Sequence, residues 1–86
     1  MLLDVINVQA APDYTLLLEF ENGEKRLFDM TSYLDKGVFQ QLRDPRVFAA
    51  AWVDYGTVVW PGEIDMAPET LYDRSTPLSS ATIGAR

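Results

Sequence analysis

The stretch Tyr14-Thr15-Leu16-Leu17-Leu18-Glu19-Phe20-Glu21-Asn22-Gly23-Glu24-Lys25-Arg26-Leu27-Phe28 carries a strand on each side of a turn. In an extended chain Tyr14, Leu16, Leu18 and Phe20 fall on one face and Thr15, Leu17 and Glu19 on the other, the period-two pattern of a half-buried strand. Asn22-Gly23 supplies the positive φ values of a tight hairpin, so Glu24–Phe28 is expected to return antiparallel beside it. Upstream, Leu3–Val8 is rich in β-branched residues and reads as a first strand. It is closed by Ala11-Pro12-Asp13, whose proline cannot donate to a ladder.

Downstream, from Asp29 to Ala51, the spacing becomes helical. Thr31 or Ser32 is a candidate cap for a short turn through Leu34, and Gly37 breaks the chain. Val38, Phe39 and Leu42 are expected to form one apolar face of a brief helix. Asp44-Pro45 reads as an N-cap and first-turn proline opening another helix, which presents Val47, Phe48 and Ala51. Trp52–Tyr55 and Thr57–Trp60, joined through Gly56, form a second hairpin that Pro61-Gly62 ends. Pro68-Glu69 opens a last helical turn from which Leu71 and Tyr72 pack back toward the sheet. This order of elements predicts an α+β fold: a small antiparallel sheet of about five strands, two hairpins plus an N-terminal strand, with short helices packed mainly on one face. Residues 1–76 are expected to form a single domain. Residues 77–86 are expected to be a flexible tail held only by Leu78 and Ile83.

Eighty-six residues, 48% of them hydrophobic and 23% charged, suit one small globular core and not a disordered chain. The sequence contains no cysteine and no histidine. Thiolate metal sites, disulfides, cysteine nucleophiles and Ser-His-Asp catalysis are thereby excluded, and with them the commonest general base. The chain is therefore expected not to be an enzyme and to carry no cofactor. A net charge of −6 repels phosphate backbones, so direct nucleic-acid binding is not expected. Lys25, Arg26, Arg43 and Arg46 are the basic cluster, yet none of the five glycines forms a phosphate-cradling loop beside them. No apolar run approaches the roughly 20 residues of a membrane span, and Met1-Leu2-Leu3-Asp4-Val5 lacks a basic leader, so a cytoplasmic protein is expected.

Two groups of residues invite a functional reading. Trp52 and Tyr55 sit on a short strand, and Glu63 lies beyond the next one. Exposed aromatics edged by carboxylates anchor protein interfaces, so Trp52, Tyr55 and Glu63 are the candidate contact surface for a basic protein partner or for self-association. A free sheet edge would serve the same end by strand addition. The alternative is a divalent-metal or hydrolytic site in which Glu63 and Asp65 join Asp29 or Asp54 as oxygen donors. That spacing is not diagnostic of a metal site. Asp65, just ahead of a helix, is expected instead to accept backbone N–H groups there.

The chain also resembles a family. Tyr14-x-Leu16-x-Leu18-x-Phe20-x-Asn22-Gly23-Glu24, Phe28-Asp29-Met30, Gly37-Val38-Phe39-x-x-Leu42 and Gly56-Thr57-Val58-Val59-Trp60-x-x-x-Ile64-Asp65-x-x-Pro68-Glu69-x-Leu71-Tyr72 together look like the bacterial family known as domain of unknown function 2442. Trp60, Asp65, Pro68, Leu71 and Tyr72 are its most specific part. The resemblance implies a small α+β domain that occurs alone or joined to a helix-turn-helix DNA-binding domain. It also implies a regulatory or partner-binding role, since some members are encoded beside a small partner of the kind seen in toxin–antitoxin pairs. It supplies no catalytic set, so these five residues are expected to build a corner between strand and helix.

Overall fold

The structure, a computed structural model, describes residues 3–78. Among the described residues seven strands form two antiparallel sheets: β1 (Val5–Ala10), β2 (Thr15–Phe20), β3 (Lys25–Asp29) and β7 (Thr76–Pro77) in the order β1-β2-β3-β7, and β4 (Trp52–Asp54), β5 (Thr57–Trp60) and β6 (Ile64–Met66) in the order β4-β5-β6. Among the described residues there are also two short α-helices, α1 (Pro45–Phe48) and α2 (Pro68–Asp73), and 3₁₀ turns at Thr31–Tyr33 and Gly37–Arg43. The α+β class holds, but the single five-stranded sheet does not. Ile64–Met66, expected as a loop leading into a helix, is a third strand beside the second hairpin. Thr76–Pro77 closes the first sheet against β3.

The central alternation is as expected: Leu16, Leu18 and Phe20 of β2 are fully buried, and Leu17 and Glu19 face the other way. The turn chemistry differs in detail. In the β2–β3 hairpin Gly23 alone takes positive φ (88°), after a turn in which its N–H donates to the Phe20 carbonyl at 2.9 Å. Asn22 contributes through its side chain instead, accepting from the Glu24 N–H at 3.0 Å. Tyr14, expected on the strand face, occupies the left-handed position of the β1–β2 turn (φ 66°). Its ring meets Phe48 edge-on at 5.1 Å and its hydroxyl donates to the Arg43 carbonyl, so it ties this turn to α1.

In β1 the register slips between Val5 and Asn7, leaving Ile6 as a bulge. The extra residue lets Val5 and Val8, three apart, both turn inward while Ile6 points to solvent. One core cluster takes the inner residues of both sheets, with Met30, Leu42, Phe48 and Leu71 from the helical segments. Val38 was expected beside Phe39 and Leu42. It lies 55% exposed, because a 3₁₀ turn repeats every three residues and aligns position 39 with 42, not 38. Asp44 caps α1 as predicted, its carboxylate accepting from the Arg46 N–H at 3.0 Å, with Pro45 in the first turn. Neither Thr31 nor Ser32 caps the Thr31–Tyr33 turn, whose N-cap is Met30 with no side-chain hydrogen bond; Asp29, two residues before Thr31, accepts from both its N–H and its hydroxyl. Pro77 pairs with Arg26, and Ile83 lies outside the described residues.

Candidate functional site

The β4–β5 connection has two residues, Tyr55 and Gly56, both with positive φ (51° and 74°), between the paired Asp54 and Thr57. This is the type I′ turn that suits the right-handed twist of a hairpin, and Asn-Gly is its favoured pair. Tyrosine in the first position costs backbone energy, and this one recovers little through packing: Tyr55 is 94% exposed. Gly56 is required by its surroundings as well as by φ. A Cβ there would sit 2.6 Å from an Asp4 carboxylate oxygen. The Val5 N–H donates to the Gly56 carbonyl at 2.9 Å, which docks the hairpin tip on the start of β1 and sets the Ile6 bulge beside it.

Trp52 lies on β4 opposite Val59, 42% exposed. By strand alternation it shares the outward face with Asp54. Ile6, at 54%, joins Trp52 and Tyr55 among the exposed large hydrophobic residues, and β1 runs alongside β4. The exposed residues thus lie on both sides of the junction of the two sheets. Asp54 precedes Tyr55 in the chain, the Asp4 carboxylate abuts Gly56, and Glu21, next to Asp4, accepts its N–H at 3.0 Å. None of the three is in an ion pair; the pairs among the described residues are Arg26–Glu24 and Arg46–Asp44.

Glu63, the third member of the predicted surface, takes positive φ (61°) in the turn after Pro61-Gly62. That turn lies at the far end of β5 from Tyr55, about 10 Å along the strand, so the structure brings Trp52 and Tyr55 to one region and Glu63 to another. Ile6 had no place in the sequence-based surface, because a bulge cannot be read from alternation alone.

The five motif residues separate by role. Trp60 is fully buried, stacks on Phe48 at 6.3 Å and donates its indole N–H to the Phe48 carbonyl at 3.2 Å. Pro68 starts α2, and Leu71 is buried in the core. Asp65 does not cap that helix. It stands exposed on β6 opposite Val59, and the N-cap is Ala67, with no side-chain hydrogen bond. Tyr72 meets Phe20 edge-on at 5.1 Å and donates its hydroxyl to Glu24.

That last contact belongs to a half-buried polar network. Arg26 donates to Glu24 at 2.7 Å, to the Ser75 hydroxyl at 2.6 Å and to the Ser75 carbonyl at 2.9 Å, with its guanidinium 4.3 Å from the centre of the Tyr72 ring. Hydrogen bonds from Tyr72, Asn22 and Arg26, in that order, hold the Glu24 carboxyl below its ordinary range, and Glu24 pushes the Tyr72 hydroxyl up. Asp29 and Asp44 are likewise lowered, by Thr31 and Arg46 respectively. Arg26 is thus occupied internally, Lys25 lies on the opposite face of β3, Arg43 donates to the Leu34 carbonyl and Arg46 pairs with Asp44, so the four cations are dispersed. Among the described residues no three acids converge as metal ligands, and no helix is long and apolar enough to cross a membrane.

Comparison with curated proteins and with solved structures gives no match. The family model for the protein of unknown function DUF2442 matches residues 5–77, from the start of β1 to the end of β7. The chain belongs to the DUF2442 family.

Proposed function

We propose that this chain is a non-enzymatic protein-interaction module, regulatory and antitoxin-like in role, whose contact surface is the aromatic and acidic junction at Ile6, Trp52 and Tyr55. One observation carries the reading: an almost fully exposed tyrosine occupies a left-handed turn position where asparagine or glycine would cost less. Strain held at an exposed aromatic is accounted for by use of the side chain outside the fold. The lack of histidine and cysteine and the net charge of −6 point the same way, toward binding and not chemistry.

The test is affinity capture from the lysate of the organism that encodes the chain, run in parallel with wild type, Tyr55→Asn and Glu63→Asn. Both variants place asparagine at a left-handed turn position, so both should fold. The expected result is a protein, or a second copy of the chain, held in stoichiometric amount by wild type and Glu63→Asn and lost by Tyr55→Asn. Equal retention by all three, or none by any, would refute this function.

A further inference from the structure

The chemistry around the Tyr55 tip is one-sided. Asp54 precedes it, Asp4 abuts Gly56 and Glu21 adjoins Asp4, none of them in an ion pair among the described residues, and Ile6 and Trp52 are exposed apolar residues on the neighbouring strands β1 and β4. Elsewhere two of the acids are matched by cations: Glu24 by Arg26 and Asp44 by Arg46. Unpaired carboxylates around exposed rings raise the negative potential over a surface that already offers hydrophobic contact. Such a surface favours a partner carrying the opposite charge beside apolar side chains. The faces of Tyr55 and Trp52 add attraction for a guanidinium or ammonium group.

We propose that the Tyr55 tip docks a cationic segment of a partner protein, one that alternates Arg or Lys with apolar residues. The cationic groups lie against Asp4, Glu21 and Asp54, and the apolar ones lie on Ile6 and Trp52. This rests on the interaction reading above and adds the partner's chemistry to it. A second copy of this chain is a poor occupant, because the same three carboxylates would face one another across the two-fold axis.

The probe is a short peptide of alternating arginine and leucine, titrated into the isotopically labelled full chain and followed by amide and indole NMR shifts. A glutamate–leucine peptide serves as the control. Saturable shifts confined to Asp4, Ile6, Glu21, Trp52 and the Asp54–Gly56 turn are expected with the arginine peptide only. Affinity should fall several-fold on going from low to high salt and about tenfold in Tyr55→Asn, with Glu63→Asn binding as wild type. Absent shifts, shifts centred elsewhere, or equal response to the two peptides would overturn the cationic partner. If lysate capture still depends on Tyr55 in that event, the interaction surface stands and only its charge preference falls. If capture fails too, both fall.

Discussion

Tyr14 and Tyr55 share a left-handed backbone at hairpin turns, but only Tyr14 is compensated from within, through Phe48 and the Arg43 carbonyl. Tyr14→Gly should therefore destabilise the domain despite relieving its φ, because the lost ring contacts outweigh about 1 kcal/mol of strain. Tyr55→Asn should do the reverse and gain roughly 0.5–1 kcal/mol in denaturant unfolding. Gly56→Ala combines a φ of 74° with a Cβ 2.6 Å from Asp4, and should cost more than about 1 kcal/mol by the same measurement. At this scale the sequence was informative about turns and silent about their neighbours. Gly56 is visible as a hairpin residue, but Asp4 is 52 positions away and nothing local announces their approach. Tyr55 reads from alternation as the last residue of the strand, on the face opposite Trp52; the structure ends β4 at Asp54 and puts Tyr55 in the turn, where its φ is 51°.

Among the elements, α2 is fastened to the β2–β3 hairpin by Glu24, Arg26, Tyr72 and Ser75. The Glu24 carboxyl is lowered in the fold, so its contribution is fully present above the ordinary glutamate range and is lost as pH falls through its depressed value. Asp29 and Asp44, also lowered, act with the same sign. Melting temperature should therefore decline on acidification below about pH 4–5. Glu24→Gln should lower it at neutral pH and flatten that acid limb, and an unchanged pH profile in this variant would refute the role given to Glu24. Period-two alternation placed Arg26 on the correct strand but left it among surface cations. Its partners lie on α2 and beyond, and pairing between distant elements has no signature in the spacing of a single strand. Ile64–Met66 was missed for a related reason. Three residues between a Pro-Gly turn and a proline-led helix are too few to show a period, and only their pairing with β5 makes them a strand.

For the whole molecule, two small sheets share one core, and Trp60 joins them to the helical segment through Phe48. A chain of this length has about 4–13 kcal/mol of stability in total. Trp60→Ala should remove about 3–5 kcal/mol of it and leave the domain partly or wholly unfolded at room temperature, read by near-ultraviolet circular dichroism. The buried positions were legible because alternation and capping marked them, as Leu16, Leu18, Phe20, Phe48 and Leu71 show. The division into two sheets was not, because strand pairing order is a property of the assembled chain. The proposed contact surface lies across that division, which is why only its β4–β5 half could be named in advance.

The central claim is that Tyr55 is kept for contact at a cost to the fold. Its most direct test measures the melting temperature and the Tyr55-dependent capture of Tyr55→Asn and wild type on the same preparations. A melting temperature raised by about 2–8 °C together with lost capture is predicted. A lowered melting temperature with capture intact would contradict the claim, because Tyr55 would then serve the fold and not a partner.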